Sequence, residues 1–551
     1  MTGPSDPDRY DQFDEEDSPQ YGGDRWAEGG FGDEDAEPRD ESTDDPKTGD
    51  EPDRADEAAS ADDGSEERTA QEAVIARVLD EIRGGEAPDV VPAQSSVAGY
   101  AEFLAVEAAL DRRWPETVME PSLDRISALC DALGDPQRGY PIAHLTGTNG
   151  KTSTARMLDA LLTEIGLRTG RYTSPHLQRA TERINLDNRP ITAEQYVAVY
   201  REVEPFVELV DSKAATTGDG AGPAMSKFEV LTGMAFAAFA DAPVEAAVVE
   251  VGLGGRWDAT NVADAHVAVI LPIGLDHAEY LGDDVLGIAR EKAGIIKEGS
   301  VAVLAAQDKA VAEVLIERCA EVGAQVAREG AEFGVRDREI AVGGQRLDLQ
   351  GLSGRYDDVF LPLHGEHQAS NAAIALTAAE ALVGAGEAQP LDIEAVRQAF
   401  ASVASPGRLE PVRGGQGVPT VLVDAAHNPA GATALATALR SEFRFERLVG
   451  VVAVLEGKDA RGILAALEPV LNEVVVTTNG SPRAMDPDEL GALATEVFGP
   501  DRVSVEPVLQ QAIEEAGGLA EEAGDSGVGV VVTGSVVTAG EARTLFGKEP
   551  A

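Results

Sequence analysis

The chain has 551 residues, of which 43% are hydrophobic, and its formal net charge is -53 at pH 7. This length accommodates two or three domains with sizeable cores. The acidity argues against nonspecific binding to DNA, RNA or anionic membranes, because those partners require a basic surface. The sequence has no apolar run of transmembrane length and no leader with a basic and an apolar region. We therefore predict a cytoplasmic protein without nucleic-acid or membrane partners.

Much of the charge lies in residues 1–70, which contain 26 acidic and 6 basic side chains and almost no Leu, Ile or Val. Such a segment cannot bury enough apolar surface to offset chain entropy, so a disordered, solvated tail is expected. The alternative is a tail that binds a basic partner. Residues 71–92 have the pattern of one amphipathic helix. We assign residues 1–96 to an acidic, largely disordered extension.

The central motif is a predicted strand, glycine loop and helix in residues 142–158. An apolar run ends in the sequence TGTNGKTS, and a helical apolar pattern follows it. The two glycines let backbone N–H groups close around an anion, the helix N-terminus adds its dipole, and Lys151 neutralises phosphate charge. Thr152 or Ser153 is placed to hold a magnesium ion. The short G-x-x-G-K-T form predicts a nucleotide phosphate site; a glycine-rich turn before a helix is the structural alternative.

Polar side chains follow three further predicted strands. The strand that ends at Tyr172 runs into a loop with Ser174, and two apolar strands end in Glu250 and in Asp276 and His277. The carboxyl ends of parallel strands meet at one edge of a sheet, which is where nucleotide-handling α/β folds hold magnesium. A lone histidine is usually structural. Two strands that each deliver a potential ligand favour a functional site.

Strands and helices alternate to about residue 330, which implies a largely parallel sheet. Short strands are then predicted at 340–349 and 359–363. We predict an α/β fold, with a phosphate-loop ATPase domain at 97–406 and a smaller C-terminal α/β domain at 407–551.

The second domain begins where the pattern breaks at residues 405–407. A new apolar strand then leads into a polar turn with Asp424 and His427, and strand-like runs at 448–455, 473–477 and 528–533 follow. Because ligands in such sheets bind at the carboxyl ends of strands, Asp424 and His427 are expected to face an interdomain cleft.

Short motifs occur in a fixed order along the chain: HLTGTNGKTST, YTSPH, SKFEVLTGMAF, VVEVGLGGRWDATNV, GLDHAEYLG, EKAGIIK, HQASNAAIA, PGRLE, VDAAHNP and VTGS. Together they resemble the folylpolyglutamate synthase and dihydrofolate synthase family, which is related to the Mur peptide ligases. The resemblance covers residues 97–546. Trp257 stands where leucine is frequent in the family, and Ala425 stands where glycine is frequent.

The resemblance implies binding of ATP and of two magnesium ions. The implied metal ligands are Ser174, Glu250, His277 and Ser153. Lys292 matches a lysine that is carbamylated in relatives, and the alternative is an ordinary salt-bridged helix lysine. The implied ATP-binding residues are Thr148, Asn149, Gly150, Lys151, Thr152, Ser153, Asn371, Arg408, Asp424 and His427.

The resemblance also implies ligation of L-glutamate to dihydropteroate or a reduced folate. The γ-phosphoryl group of ATP would activate the acceptor carboxylate as an acyl phosphate, and Lys151, Lys292, His277 and Arg408 would be the catalytic residues. A monomer is expected on the same grounds. The residues implied to bind the acceptor are Ser226, Lys227, Phe228, Glu229, Trp257, Asp258 and Ala259.

Two rival functions stay open at this point. A Mur-type ligase for nucleotide-linked sugar peptides would share the loop, Glu250 and His277, but such enzymes usually carry a further N-terminal domain. A phosphate-loop switch would need no hinged second domain. The cysteines, Cys130 and Cys319, lie far apart in helical patterns and are expected to be reduced, partly buried thiols rather than a disulfide or metal site.

Overall fold

A computed structural model describes residues 97–114, 122–216, 223–384, 390–415, 418–522, 524 and 527–551. The predicted acidic extension and the predicted helix at 71–92 lie outside these ranges. No helix in the described ranges is long and apolar enough to cross a membrane.

The first sheet is built from eight strands: β1 Ile142–Thr146, β2 Thr169–Tyr172, β3 Ile184–Leu186, β4 Arg189–Pro190, β5 Ala246–Glu250, β6 Val267–Ile270, β7 Val301–Leu304 and β8 Gln325–Arg328. Their spatial order is β4-β3-β2-β5-β1-β6-β7-β8. All neighbours from β2 to β8 are parallel, and β3 and β4 form an antiparallel edge. The predicted, mostly parallel sheet is confirmed, and β5 and β6 flank the central strand β1.

Helices cover both faces of this sheet because their apolar residues recur at helical spacing. In the last of them, Val396, Ala399 and Phe400 are buried together on one side. These helices are α1 Val97–Asp111, α2 Asp124–Ala132, α3 Lys151–Glu164, α4 Ala193–Thr216, α5 Lys227–Asp241, α6 Ala278–Leu281, α7 Val285–Lys292, α8 Lys309–Val322, α9 Glu366–Leu382 and α10 Ile393–Ser402. Helices α1, α2, α4 and α5 share one core cluster, and α3, α9 and α10 share another.

An antiparallel three-stranded sheet separates α8 from α9. Its strands are β9 Gly334–Ala341, β10 Gly344–Gln350 and β11 Arg355–Leu361, in the order β11-β10-β9. The prediction of one strand at 340–349 was wrong, because a hairpin turn at Val342 and Gly343 divides it. Gly343 has φ +79, a left-handed conformation in which glycine is not strained.

A six-stranded sheet forms the second domain, in the order β12-β13-β17-β14-β15-β16. Its strands are β12 Glu410–Gly415, β13 Val418–Val423, β14 Arg447–Val452, β15 Glu473–Val476, β16 Val503–Val505 and β17 Val528–Thr533. The helices are α11 Pro429–Glu442, α12 Ala460–Leu467, α13 Pro487–Phe498, α14 Leu509–Glu521 and α15 Val536–Leu545. The predicted apolar strand before Asp424 is confirmed as β13, and the three predicted strand-like runs are confirmed as β14, β15 and β17, whereas β12 and β16 were missed.

Both cysteines are free, as expected, and they are fully rather than partly buried. Cys130 lies in α2 and Cys319 lies in α8, on different parts of the first domain.

Candidate active site

The glycine loop connects β1 to α3 and leaves the start of the helix open. Gly150 precedes the helix with φ +89, and no side chain caps the first turn. A Cβ atom at Gly150 would lie 2.7 Å from Oδ1 of Asn371, so glycine is required here. The first N–H groups of α3 therefore remain available for an anion.

Lys151 is held over this loop. Its Nζ donates hydrogen bonds to the carbonyl oxygens of Gly147 and Thr148, at 3.0 and 3.2 Å. Burial lowers the pKa of Lys151. The ammonium group is thus fixed at the loop, where phosphate charge would compensate for its loss of hydration.

A cavity of about 170 Å³ opens at the loop between the two domains. Its wall contains all ten residues that the sequence assigned to ATP, together with the predicted metal ligands Ser174, Glu250 and His277. Helix α11 supplies part of the wall through Ala434, Leu435 and Ala438. The structure therefore brings residues of both domains to one elongated site.

Two of the predicted ATP residues also hold the junction between the domains. The Ser153 hydroxyl lies 3.0 Å from the hydroxyl of Ser405. The Asp424 carboxylate accepts hydrogen bonds at 2.8 Å from the backbone N–H groups of Leu409 and Ala426. Asp424 thereby fixes the backbone beside Arg408, which lines the cavity.

Glu250 lies at the end of β5, 1% exposed, beside the start of α3. Thr152 Oγ1 lies 3.1 Å from both carboxylate oxygens. Burial raises the pKa of Glu250 to about 7, although Lys151 and Thr152 oppose the shift. Among the described residues there is no cluster of three or more His, Cys, Asp or Glu side chains that would hold a metal ion alone. Hydroxyl and carboxylate oxygens here fit magnesium as a partial ligand set.

Asp276 connects the two domains at the other side of the loop. Its carboxylate accepts hydrogen bonds from Lys458 Nζ at 2.7 Å and Asn428 Nδ2 at 2.8 Å, both from the second domain. His427 Nε2 lies 3.5 Å from the same carboxylate. Burial opposes ionisation of Asp276, but the hydrogen bond from His427 and the neighbouring cations lower its pKa.

His277 follows Asp276 in a left-handed conformation with φ +53. Its Nε2 lies 3.3 Å from Lys458 Nζ. Burial lowers the pKa of His277 to about 4, against the opposing charge of Asp276. The imidazole is therefore neutral at pH 7, the form that acts as an acceptor or ligand.

The sequence did not indicate Lys458 or Asn428 as site residues. The signal for Lys458 was present, because it follows β14 in a glycine-containing turn, Leu455 to Lys458, at the carboxyl end of a buried strand. Asn428 belongs to the polar turn that contains His427.

Lys292 reaches the loop from the end of α7. Its Nζ donates to the Gly147 carbonyl oxygen at 3.0 Å rather than to a carboxylate. Burial, and then the charge of Lys151, lower the pKa of Lys292 to about 7. A small cavity of about 30 Å³ joins Lys292 with Lys151, Asp276 and His277.

A second cavity, of about 290 Å³, lies on the first-domain side of this site. Its wall contains six of the seven predicted acceptor residues: Ser226, Phe228, Glu229, Trp257, Asp258 and Ala259. Lys227 does not line it, because its Nζ binds Glu107 at 3.2 Å and Asp111 at 2.6 Å. Among the other residues of the wall are Trp114, Arg125, Tyr280 and Arg483, which the sequence did not indicate.

Several of these residues also shape the cavity by binding backbone. Ser226 and Glu229 form a reciprocal cap at the start of α5, and Arg125 Nε donates to Glu229 at 3.1 Å. Asp258 accepts from the N–H groups of Leu253 and Thr260, at 2.9 and 3.0 Å. Trp257 is 46% exposed at the rim.

The two large cavities meet at one wall. Both are lined by Ser174, Pro175, Gly252 and His277. A molecule in the second cavity is therefore able to present one end to a nucleotide in the first.

Two family models match this chain. The model described as "Mur ligase middle domain" matches residues 145–379, and the model described as "Mur ligase, glutamate ligase domain" matches residues 407–536.

The chain is also similar to named relatives over most of its length. It is 59% identical over 481 residues to the dihydrofolate synthase/folylpolyglutamate synthase of Mycobacterium tuberculosis. The alignment covers 85% of this chain and 98% of the relative. A solved structure of M. tuberculosis folylpolyglutamate synthase complexed with ADP superimposes with a TM-score of 0.78 at 57% identity, over 82% of this chain and all of that one. An FPGS-AMPPCP-folate complex superimposes with a TM-score of 0.69 at 30% identity, over 80% of this chain and 99% of that one.

Proposed function

The chain belongs to the dihydrofolate synthase/folylpolyglutamate synthase family of Mur ligases and is an ATP-dependent ligase of folate metabolism, and we propose that it joins L-glutamate to dihydropteroate, to reduced folates or to both through an acyl phosphate. The relatives named above bind ADP, an ATP analogue and folate. Two adjoining cavities fit a ligase better than they fit a phosphate-loop switch, because a switch has no use for the second cavity.

One observation carries the proposal: the two cavities share the wall at Ser174, Gly252 and His277. With ATP phosphates at the glycine loop and the acceptor in the second cavity, the acceptor carboxylate would meet the γ-phosphate at this wall. Such an arrangement converts a reaction between two bound molecules into one between neighbouring groups.

An amine cannot displace oxide from a carboxylate, so the carboxylate must first be activated. An oxygen of the acceptor carboxylate attacks the γ-phosphorus, the bond from that phosphorus to the ADP oxygen breaks, and an acyl phosphate forms. The glutamate amine then attacks the acyl carbon, and inorganic phosphate leaves with the electron pair of the broken C–O bond. An amide results.

Lys151 and Arg408 are suited to stabilise the phosphoryl group during transfer. Lys151 is fixed over the loop by two carbonyl oxygens, and Arg408 lines the cavity at the junction between the domains. Cations held in a partly buried cavity stabilise developing negative charge more strongly than they do in water.

The second domain would keep water away from the acyl phosphate. Lys458 and Asn428 contact Asp276 across the cleft, beside the wall that the two cavities share. Closure that expels water protects an intermediate that water would otherwise hydrolyse. Arg408, at the domain junction, would move with this closure.

Magnesium fits the oxygen-rich edge of the glycine loop. Glu250, Ser174 and the hydroxyl of Thr152 or Ser153 would hold it, and His277 is close enough to the shared wall to hold a second ion. When bound, magnesium neutralises charge on the phosphate oxygens. The raised pKa of Glu250 supports this assignment, since a nearby cation would restore the ionised carboxylate that burial disfavours.

Carbamylation of Lys292 is proposed for the same edge. A lysine amine reacts with carbon dioxide in its neutral form, and burial favours that form in Lys292. The carbamate would place a negative charge near Lys151 and Asp276, and the cation Lys151 would stabilise it.

For the acceptor, we propose contacts with Phe228, Trp257, Asp258 and Ala259, and with Trp114, which lines the same cavity. Aromatic faces suit a flat pteridine ring, and a few polar groups suit its ring nitrogens. Ser226 and Glu229 would act by fixing the wall, because they cap α5 together and Glu229 also accepts a hydrogen bond from Arg125.

The decisive test measures phosphate release by the purified protein with ATP, magnesium and L-glutamate. Dihydropteroate, tetrahydrofolate or no acceptor would be supplied in parallel. Release with both acceptors would establish both activities, and release with one would assign that activity alone. If neither acceptor causes phosphate release, the proposal is contradicted and the Mur-type alternative is favoured.

A monomeric state and a cytoplasmic location stay predictions. Light scattering of the purified protein checks the first, and fractionation of cells that produce it checks the second.

A further inference from the structure

Helix α11 of the second domain ends in a buried carboxylate that contacts the first domain. The Glu442 side chain has no exposed surface. It binds Arg338 Nη2 of strand β9, lies 2.9 Å from His364 Nδ1, and accepts a hydrogen bond from the Gly365 backbone N–H at 2.8 Å. A carboxylate buried with three partners from another domain is a specific interdomain contact.

These partners belong to a network that fixes the segment before helix α9. Gln345 accepts a hydrogen bond from Arg338 Nε. Its Nε2 donates to the carbonyl oxygens of Leu363 and Gly365, at 2.8 and 3.1 Å. Arg338 therefore contacts both Glu442 and Gln345, and residues 363–365 are held from two sides.

Helix α9 begins directly after this segment and carries two residues into the nucleotide cavity. Gln368 and Asn371 both line that cavity. The Gln368 backbone N–H donates to the Gly365 carbonyl at 3.0 Å, and Asn371 Nδ2 donates to Gln368 Oε1 at 3.1 Å. The position of residue 365 therefore sets the positions of Gln368 and Asn371.

The other end of α11 is anchored at the phosphate loop. Asn428, which caps α11, exchanges hydrogen bonds with the Asn149 amide at 3.1 and 3.2 Å. Between the two ends, Leu435 and Ala438 form part of the cavity wall. A helix of 14 residues is about 21 Å long and behaves as one rigid element. Its two ends thus determine how far its middle lies from α9.

The electrostatics favour an ionised Glu442 in this contact. Burial opposes ionisation, but the hydrogen bonds from His364 and the Gly365 N–H and the charge of Arg338 lower its pKa. The ring of His364 also packs on Phe443, with centroids 4.8 Å apart. Removal of the charge is expected to loosen the contact.

We propose that Glu442 is a positioning residue for the nucleotide: it fixes α11 against the start of α9, sets the width of the nucleotide cavity, and couples nucleotide binding to the placement of the second domain. This inference rests on the proposed function, because it takes the cavity at the glycine loop as the ATP site.

The test is the variant Glu442→Gln, with ADP binding measured by calorimetry and steady-state kinetics measured on the full chain. If domain placement and nucleotide binding are coupled by a free energy of the usual size, ADP binding should weaken by about fivefold or more. The KM for ATP should rise by a similar factor. The KM for glutamate should stay within about twofold, because the contact lies on the nucleotide side. Glu339→Gln, which alters an exposed ion pair with Arg346 in the same small sheet, is the matched control and should change neither quantity.

A second variant keeps the proposal testable if Glu442→Gln does not fold. His364→Phe retains the ring on Phe443 and the Arg338 contact but removes one hydrogen bond to Glu442, so ADP binding should weaken in the same direction by a smaller factor.

Wild-type ADP binding and an unchanged KM for ATP in the variants would overturn the inference alone, even if the melting temperature fell. Equal increases in the KM values for ATP and glutamate would overturn it too. No ADP binding by the wild-type protein would overturn the proposed function and this inference with it.

Discussion

Two strand-turn-helix units face each other across the cleft, and they begin their helices differently. Strand β1 leads through Gly150 into α3, whose first turn has no side-chain cap. Strand β13 leads through Asn428 into α11, where the Asn428 side chain accepts from the Gly431 N–H at 2.7 Å and Pro429 occupies the first turn. Only the first unit leaves its helix N-terminus free for an anion.

The difference shows how one local design serves two tasks. An open helix start, a glycine and a lysine provide a phosphate site. A capped start provides a rigid edge, and Asn428 uses its remaining donors to contact Asn149 and Asp276. The comparison supports the proposal that phosphate binds on the first domain and that the second domain is positioned against it.

Lys151→Ala tests the open unit with the largest expected effect. If Lys151 faces the transferring phosphoryl group as proposed, its loss should reduce kcat by about 10³-fold. Acceptor-dependent phosphate release measures this loss. Lys309→Ala, which removes a lysine whose side chain is 91% exposed on α8, is the control and should leave turnover unchanged.

Glu250→Gln tests whether the buried carboxylate beside the phosphate loop lowers the free energy of unfolding. The folded-state pKa of about 7 lies above the ordinary value of 4.5, so the folded protein binds a proton more tightly than the unfolded chain does. Through this group, the free energy of unfolding falls as the pH rises from 4.5 to about 7. The variant lacks this loss and should be more stable than wild type at pH 8, by up to about 3 kcal/mol.

Urea unfolding with EDTA and without nucleotide, at pH 4.5 and pH 8, measures the Glu250 effect. The two proteins should differ little at the lower pH. The same change at the exposed Glu298 is the control. A stability difference between wild type and Glu250→Gln that is equal at both pH values would contradict the shifted pKa.

Substitutions of Asn428 separate the cap of α11 from the contact between the domains. Asn428→Ala removes both and should lower the free energy of unfolding by about 1 kcal/mol and reduce turnover. Asn428→Ser keeps an oxygen for the Gly431 N–H but is too short to reach Asn149 and Asp276. It should retain more stability than the alanine variant, while its turnover should fall as far as that of the alanine variant. Wild-type turnover in Asn428→Ser would show that the contact is not used.

The smallest effect is expected at the thiols, which lie in neither unit. Burial raises the pKa of Cys130 to about 12 and that of Cys319 to about 11, so little thiolate is present at pH 8. A chromogenic disulfide reagent should react slowly with the native protein and fully after denaturation. Rapid reaction of the native protein would show that α2 or α8 opens readily.

The sequence by itself determined the parts that depend on neighbours along the chain. Lys151, Glu250 and His277 were identifiable because each ends or follows a buried strand, and parallel strands bring their carboxyl ends to one edge. The mostly parallel sheet and four of the second-domain strands, β13, β14, β15 and β17, were predicted for the same reason. The short strands β12 and β16 carry too few residues for a pattern, and the turn at Gly343 interrupts what looks like one strand.

Only the tertiary structure decided which side chains meet across the cleft. Lys458 and Asn428 contact Asp276 from positions more than 150 residues away, and Glu442 contacts His364 over 78 residues. Lys227 stands between two predicted acceptor residues, but its side chain leaves the cavity for Glu107 and Asp111. Local pattern records which face of a strand or helix is buried, whereas the partner of a polar side chain depends on how separate elements pack and on the charge already present there.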